Sequence, residues 1–226
     1  MNYFAHALDV LDDPYMLAGT AVPDWLNVAD RGVRVRSKHA LPFIADADPR
    51  LAAVARGIVR HLQDDAWFHE TATFHELSWR FTALVRDALP DDEGFRPSFL
   101  GHILVEILLD ASLIARYPDR LETYYRQLAG LDPGVVQTAV NRMAPRSTER
   151  LAPLIPLFIG ERFLWDYADD AKLWRRLNQV MRRVGLPLLP ESFCELLPEI
   201  RRLVAEREAE LLTNPIPTKG SLAAAN

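Results

Sequence analysis

Apolar residues recur at intervals of three and four through most of the chain, the spacing of helices that bury one face. Strict alternation never persists long enough to support a sheet, and no segment repeats at a fixed period. The pattern predicts an all-α protein, a multi-helix bundle. Asp48-Pro49 opens one helix, with Asp as N-cap and Pro at the first helical position, and the helix runs to about His69. Thr73-Phe-His-Glu76 has the form of a capping box for a helix ending near Leu89, and Pro90 to Gly94 reads as a turn. Pro97 starts the next helix, closed by Tyr117-Pro118. Further helices are expected at 119–129, 133–144, 148–168, 170–184 and 191–212, with Pro153 and Pro156 kinking or delaying the third of these. Ahead of Asp48 a short helix occupies residues 1 to about 12. Gly19 and Pro23 then break any long helix, which puts Asp24 at a loop or helix start. Residues 31–38 alternate basic and apolar side chains and read as an extended stretch. The implied organisation is a helical core over 1–118, a helical scaffold over 119–212 packed on it, and a disordered tail over 213–226.

Chemistry concentrates where two of these helices carry polar residues at one interval. His61, Asp65 and His69 follow one another every four residues, as do His102, Glu106 and Asp110. Side chains at i and i+4 stack on one helix face. Two imidazoles and a carboxylate on one line suit a divalent cation. Two such helices, with His61 and Asp65 facing His102 and Glu106, would enclose a metal site. Glu106 and Asp110 lie in Ile103-Leu-Val-Glu-Ile-Leu-Leu-Asp, apolar on nearly every side, and a buried carboxylate normally has a metal or a charge partner. His6 lies among apolar residues and points inward, and with Asp24 and His39 it completes a candidate ligand set. Eight nitrogen and oxygen donors suit two or three ions better than one. His75 belongs to the next helix and reads as a core or surface group rather than a ligand, and Asp64 reads as solvated because it lies about 100° around the helix from Asp65. All six histidines precede residue 103, so the second half reads as scaffold.

A net charge of −5 argues against a general nucleic-acid binder. The single cysteine, Cys194, excludes an internal disulfide framework, fits a reducing compartment and reads as a buried structural thiol. The start Met-Asn-Tyr-Phe-Ala-His-Ala-Leu-Asp lacks a basic n-region, and no apolar run approaches a membrane span of ~20 residues, so the expectation is cytoplasmic.

The ordered set His6, Gly-Thr-Ala-Val-Pro-Asp24, His39, Gly57-Ile-x-x-His61-x-x-x-Asp65, His69 and Gly101-His102-x-x-x-Glu106 resembles the zinc-dependent phospholipase C family. The start Met-Asn-Tyr-Phe-Ala-His and the Gly57 stretch are also similar to acyl carrier protein phosphodiesterases. The resemblance implies an all-helical bundle and a cluster of two or three zinc ions, with manganese or iron as alternatives. The ligands would be His6, Asp24, His39, His61, Asp65, His69, His102 and Glu106. It also implies hydrolysis of a small phosphodiester or phospholipid-like substrate by metal-activated water. Asp65 would bridge two ions, and Asp24 would act as ligand or general base. Arg34, Arg36 and Lys38 could steer an anionic substrate, although a solvated surface is the commoner use of such a run. The competing expectation is a non-enzymatic helical protein with a structural metal site and an interaction surface.

Overall fold

A computed structural model describes residues 1–89 and 94–214, and among them every regular element is helical. In chain order these are α1 (Tyr3–Ala7), α2 (Pro14–Ala29), α3 (Ser37–Ala40), α4 (Pro49–Phe68), α5 (Ala72–Ala88), α6 (Pro97–Arg116), α7 (Pro118–Ala129), α8 (Pro133–Met143), α9 (Leu151–Glu161), α10 (Asp170–Val184), α11 (Leu197–Glu206) and α12 (Glu208–Leu211). Short 3₁₀ turns at Leu41–Phe43, Phe163–Ala168 and Glu191–Leu196 connect some of them. The expected turn at 90–93 and the tail beyond 214 lie outside the described residues.

The termini follow the chemistry read from the sequence, with instructive exceptions. Five α-helices, α2, α4, α6, α7 and α8, begin on a proline, where the absent N–H leaves no acceptor wanting. α5 starts earlier than the Thr73 capping box suggests: Thr71 is the N-cap, its hydroxyl accepting from the Phe74 N–H. The helix expected over 148–168 ends at Glu161, because Arg162 turns left-handed with φ 47°. The segment 191–212 is a 3₁₀ turn followed by two helices.

The clearest correction concerns Gly19 and Pro23, which do not break a helix. α2 passes through both. Asp13 caps its start by accepting from the Tyr15 and Met16 N–H groups, so Asp24 stands inside a continuous helix. The expected short helix before it is confined to α1. Residues 31–36 are non-helical, with Val33 and Val35 buried between exposed arginines, as the alternation predicts; the stretch ends where α3 begins.

The chain forms two compact units, one of residues 1–64 and 110–169, the other of 65–109 and 170–226. α4 and α6 run unbroken through the two boundaries. The core of the first unit gathers Phe4, Leu17, Trp25, Ile58, Tyr124 and Phe158, with the Trp25 and Phe158 rings 5.3 Å apart. The second is built on Phe74, Leu77, Phe81, Leu173, Leu177 and Phe193. Cys194 is half-buried in the 3₁₀ turn beside Phe193. α6 is long and apolar enough to cross a membrane by length and composition alone, yet most of it is buried within the protein, as a core helix would be.

Inside the first unit α2 and α4 touch backbone to backbone. A Cβ on Gly57 would lie 2.2 Å from the Met16 carbonyl oxygen, and one on Gly19 would lie 2.4 Å from the Val54 carbonyl oxygen. Gly101 does the same work in the second unit, where its Cβ would meet the Ser78 carbonyl oxygen at 2.5 Å and α5 would have to withdraw from α6. Glycine is thus required here for close approach rather than for turn geometry.

Asp110 ties α1 to α6. Its Oδ2 accepts from the Phe4 N–H at 2.9 Å and its Oδ1 from the Ala5 N–H at 2.8 Å, so a residue distant in sequence caps the first turn of α1. Burial pushes the Asp110 carboxyl up to about 7, against the opposing pull of the two amides.

Two outcomes follow from these contacts. Gly57→Ala should destabilise the protein by at least about 1–3 kcal/mol in urea unfolding, the ordinary cost of overpacking. Asp110→Ala should cost about 2–5 kcal/mol, because two buried N–H groups lose their acceptor. With its carboxyl raised above the ordinary value near 4, Asp110 favours the fold most when protonated. The stability gap between wild type and Asp110→Ala should therefore be widest at pH 4 and narrow as pH rises through 7. A gap that widened over that range would contradict the raised carboxyl.

Candidate metal centre

The glycine contact sets up the first group of donors. With α4 pressed on α2 at Gly57, the next turn brings His61 Nδ1 to 2.7 Å from the Thr20 carbonyl oxygen. That acceptor requires a proton on Nδ1, so the lone pair sits on Nε2. His6 is set in the same manner. Its Nδ1 donates to Asp64 Oδ2 at 3.3 Å, and its ring stacks on His61 with centroids 4.1 Å apart and planes 27° from parallel. Both imidazoles are buried. Asp65 follows His61 by one turn on α4, and ligand atoms of His6, His61 and Asp65 all lie within 4.8 Å of one another.

Asp64 is the residue that the sequence reading missed. It is half-buried, bonded to His6 and flanked by Arg60 Nε at 3.4 Å, while Arg60 reaches Asp9 at 2.8 Å. The helical angle from Asp65 correctly removes it from that residue's face. It does not reveal that the buried histidine of α1 comes to meet it. A carboxylate on the far nitrogen of an imidazole fixes the tautomer and raises the basicity of the other nitrogen, a recurring support for metal-binding histidines.

His69, His102 and Glu106 form the second group, also with donor atoms within 4.8 Å of one another. His69 Nε2 lies 2.7 Å from Glu106 Oε1, and His102 Nε2 lies 3.5 Å from the same oxygen. The Phe74 ring stands 4.8 Å from His69 and 4.9 Å from His102, an apolar wall against both imidazoles. Burial raises the Glu106 carboxyl. Nearby positive groups and hydrogen bonds, those of His102 and His69 among them, outweigh it and hold the carboxyl well below the usual range. The residues divide differently from the facing pairs expected, since His102 and Glu106 share their group with His69.

His39 and Asp24 belong to neither group. His39 sits in α3, where its Nδ1 accepts from the Arg36 backbone N–H at 3.3 Å. Asp24 is half-buried on α2, and its negative charge adds to burial in raising Asp110. Asp110, the third member of the four-residue series on α6, caps α1 instead of joining a group. His75 is exposed on α5.

The donor chemistry fits divalent metal ions. Each group offers two imidazole nitrogens and one carboxylate, the mixture that zinc, manganese and iron accept, and three protein donors leave coordination positions for water. Comparison with protein-family models, curated proteins and solved structures gave no match. The chemistry of the centre therefore rests on its own geometry.

Because the two groups use separate side chains, they should be separable by mutation. His61→Ala and His102→Ala should each lower the metal content of the purified protein, and the double variant should lose more than either alone. Asp64→Asn should weaken metal affinity by about 10–100-fold, the usual effect of losing such a partner, without removing any ligand. Metal titration followed by calorimetry checks all four variants.

Proposed function

We propose that the protein is a metal-dependent phosphodiester hydrolase. The observation that carries this reading is the pair of His, His, carboxylate groups, one of them with both imidazoles held through Nδ1 so that Nε2 is presented as a donor. Three-donor sets are the pattern of catalytic rather than closed structural sites. His6, His61 and Asp65 would hold one ion, and His69, His102 and Glu106 another. Bound metal supplies Lewis acidity toward phosphate oxygens and lowers the pKa of water toward neutrality. The chain's own part is to fix the donors. Asp64 and the Thr20 carbonyl orient the imidazoles, and Asp65 and Glu106 provide negative charge to balance the cations. The substrate class follows from the ordered resemblance to zinc-dependent phospholipases C and acyl carrier protein phosphodiesterases. Zinc is the ion proposed, with manganese and iron as alternatives.

Asp65→Asn tests the reading, because it keeps the size of the side chain and removes its charge. Metal content should fall, and turnover of bis(4-nitrophenyl) phosphate in the presence of zinc or manganese should drop by at least about 100-fold, a loss of roughly 2.7 kcal/mol in transition-state stabilisation. Helical content should persist, since the apolar core is untouched. If wild type binds metal but turns over no phosphodiester, and the variant mainly loses thermal stability, the metal is structural and the enzymatic reading is wrong.

A further inference from the structure

Residues 31–44 carry Arg31, Arg34, Arg36 and Lys38 and no carboxylate, in a chain whose net charge is −5. Val33 and Val35 are buried, so Arg34 and Arg36 between and after them point to solvent, and Lys38 is exposed on α3. Among the described residues none of Arg34, Arg36 and Lys38 takes part in an ion pair. The acids nearest in sequence are already engaged. Asp30 accepts from the Thr148 hydroxyl and the Gly32 N–H, Asp46 pairs with Arg142 at 3.0 Å, and Asp48 pairs with Arg50 at 3.2 Å. Arg146 adds a further guanidinium against Gly32.

The 3₁₀ turn that follows exposes aliphatic surface beside these cations. Leu41 is 47 % exposed and Ile44 38 %, with Pro42 exposed between them. The Arg142 guanidinium lies over the Phe43 ring, 5.4 Å from its centroid, which joins the turn to α8. Single exposed aliphatic residues need no explanation. Two on one turn, next to Arg34, Arg36 and Lys38, do.

We propose that Arg34, Arg36, Lys38, Leu41, Pro42 and Ile44 form a docking strip for an anionic lipid surface. Cations draw such a strip to acidic headgroups, and short aliphatic side chains enter the boundary between headgroups and acyl chains. Nucleic acid shares the attraction to cations, but exposed aliphatic side chains such as Leu41, Pro42 and Ile44 give its bases no plane to stack on, whereas they suit the acyl boundary. The strip is independent of the metal centre and stands whether or not the protein is a hydrolase.

The experiment is co-sedimentation of the full chain with vesicles of phosphatidylcholine alone and of phosphatidylcholine mixed equally with phosphatidylserine. Wild type should associate with the mixed vesicles and not with the neutral ones, and rising salt should release it. The triple variant R34E/R36E/K38E should bind at least tenfold more weakly. L41S/I44S should lose several-fold while keeping the salt dependence. Circular dichroism and metal content, unchanged in both variants, establish that the fold persists; were the triple variant misfolded, the salt titration of wild type would decide. Equal binding to both vesicle types, no binding at low salt, or a folded triple variant that binds like wild type overturns the proposal. Binding to single-stranded RNA or heparin that L41S/I44S leaves intact, with no binding to vesicles, also overturns it and assigns the cations to a polyanion.

Discussion

The contact between Gly19 and Gly57 is the constraint on which the first donor group depends. A side chain at either position would hold α2 and α4 apart by a carbon atom, and the Thr20 carbonyl would no longer reach His61 Nδ1. Backbone contact brings a neutral carbonyl acceptor to a buried imidazole, which selects the tautomer. Packing and tautomer are thereby set by one pair of residues. The sequence stretch Gly57-Ile-x-x-His61 is consequently a packing motif and a chemical motif at once, with the glycine providing the approach and the histidine, one turn later, using it.

Gly101 repeats the arrangement one residue before His102. α6 lies against α5 at that glycine, and Phe74 at the start of α5 then walls the imidazoles of His69 and His102. The two donor groups differ in what surrounds them. Around His6 and His61 the far nitrogens are occupied by a carboxylate and a carbonyl, and the rings are fully buried. His69 and His102 are partly exposed, with Nε2 of each turned toward one glutamate oxygen. Burial and tautomer control characterise the first group, and access to solvent the second.

Helix identity was legible because the apolar period and the proline starts agree. α4 and α6 match their expected ranges almost residue for residue for that reason. Gly19 and Pro23 misled because glycine and proline are read locally as breakers, whereas the demand on Gly19 comes from a helix distant in sequence. The candidate centre was legible to the extent that its donors share a helix face: His61 with Asp65, and His102 with Glu106, need only the i, i+4 rule. His69 sits just past the last turn of α4, and nothing in its spacing says that it meets Glu106. Asp64 was invisible for the converse reason. Its angle on α4 looks like a solvent angle until α1 is in place above it. His39 and Asp24 entered through motif order alone; His39 meets the Arg36 backbone, and the charge of Asp24 is felt by Asp110.

The cap on α1 has a consequence for how the centre comes into being. A helix of five residues has no stability of its own in water, since nucleation is unfavourable and so short a helix scarcely propagates. Its first N–H groups are satisfied by Asp110, more than a hundred residues further along the chain. During synthesis His6 leaves the ribosome before the other donors of either group, yet the cap that holds α1 is missing until α6 has emerged and packed. The earliest donor in the sequence is therefore the last to be placed, and a metal ion arriving beforehand would meet an incomplete group. Any loading of that group would be a late event, coupled to closure of a long loop rather than to local folding of α4.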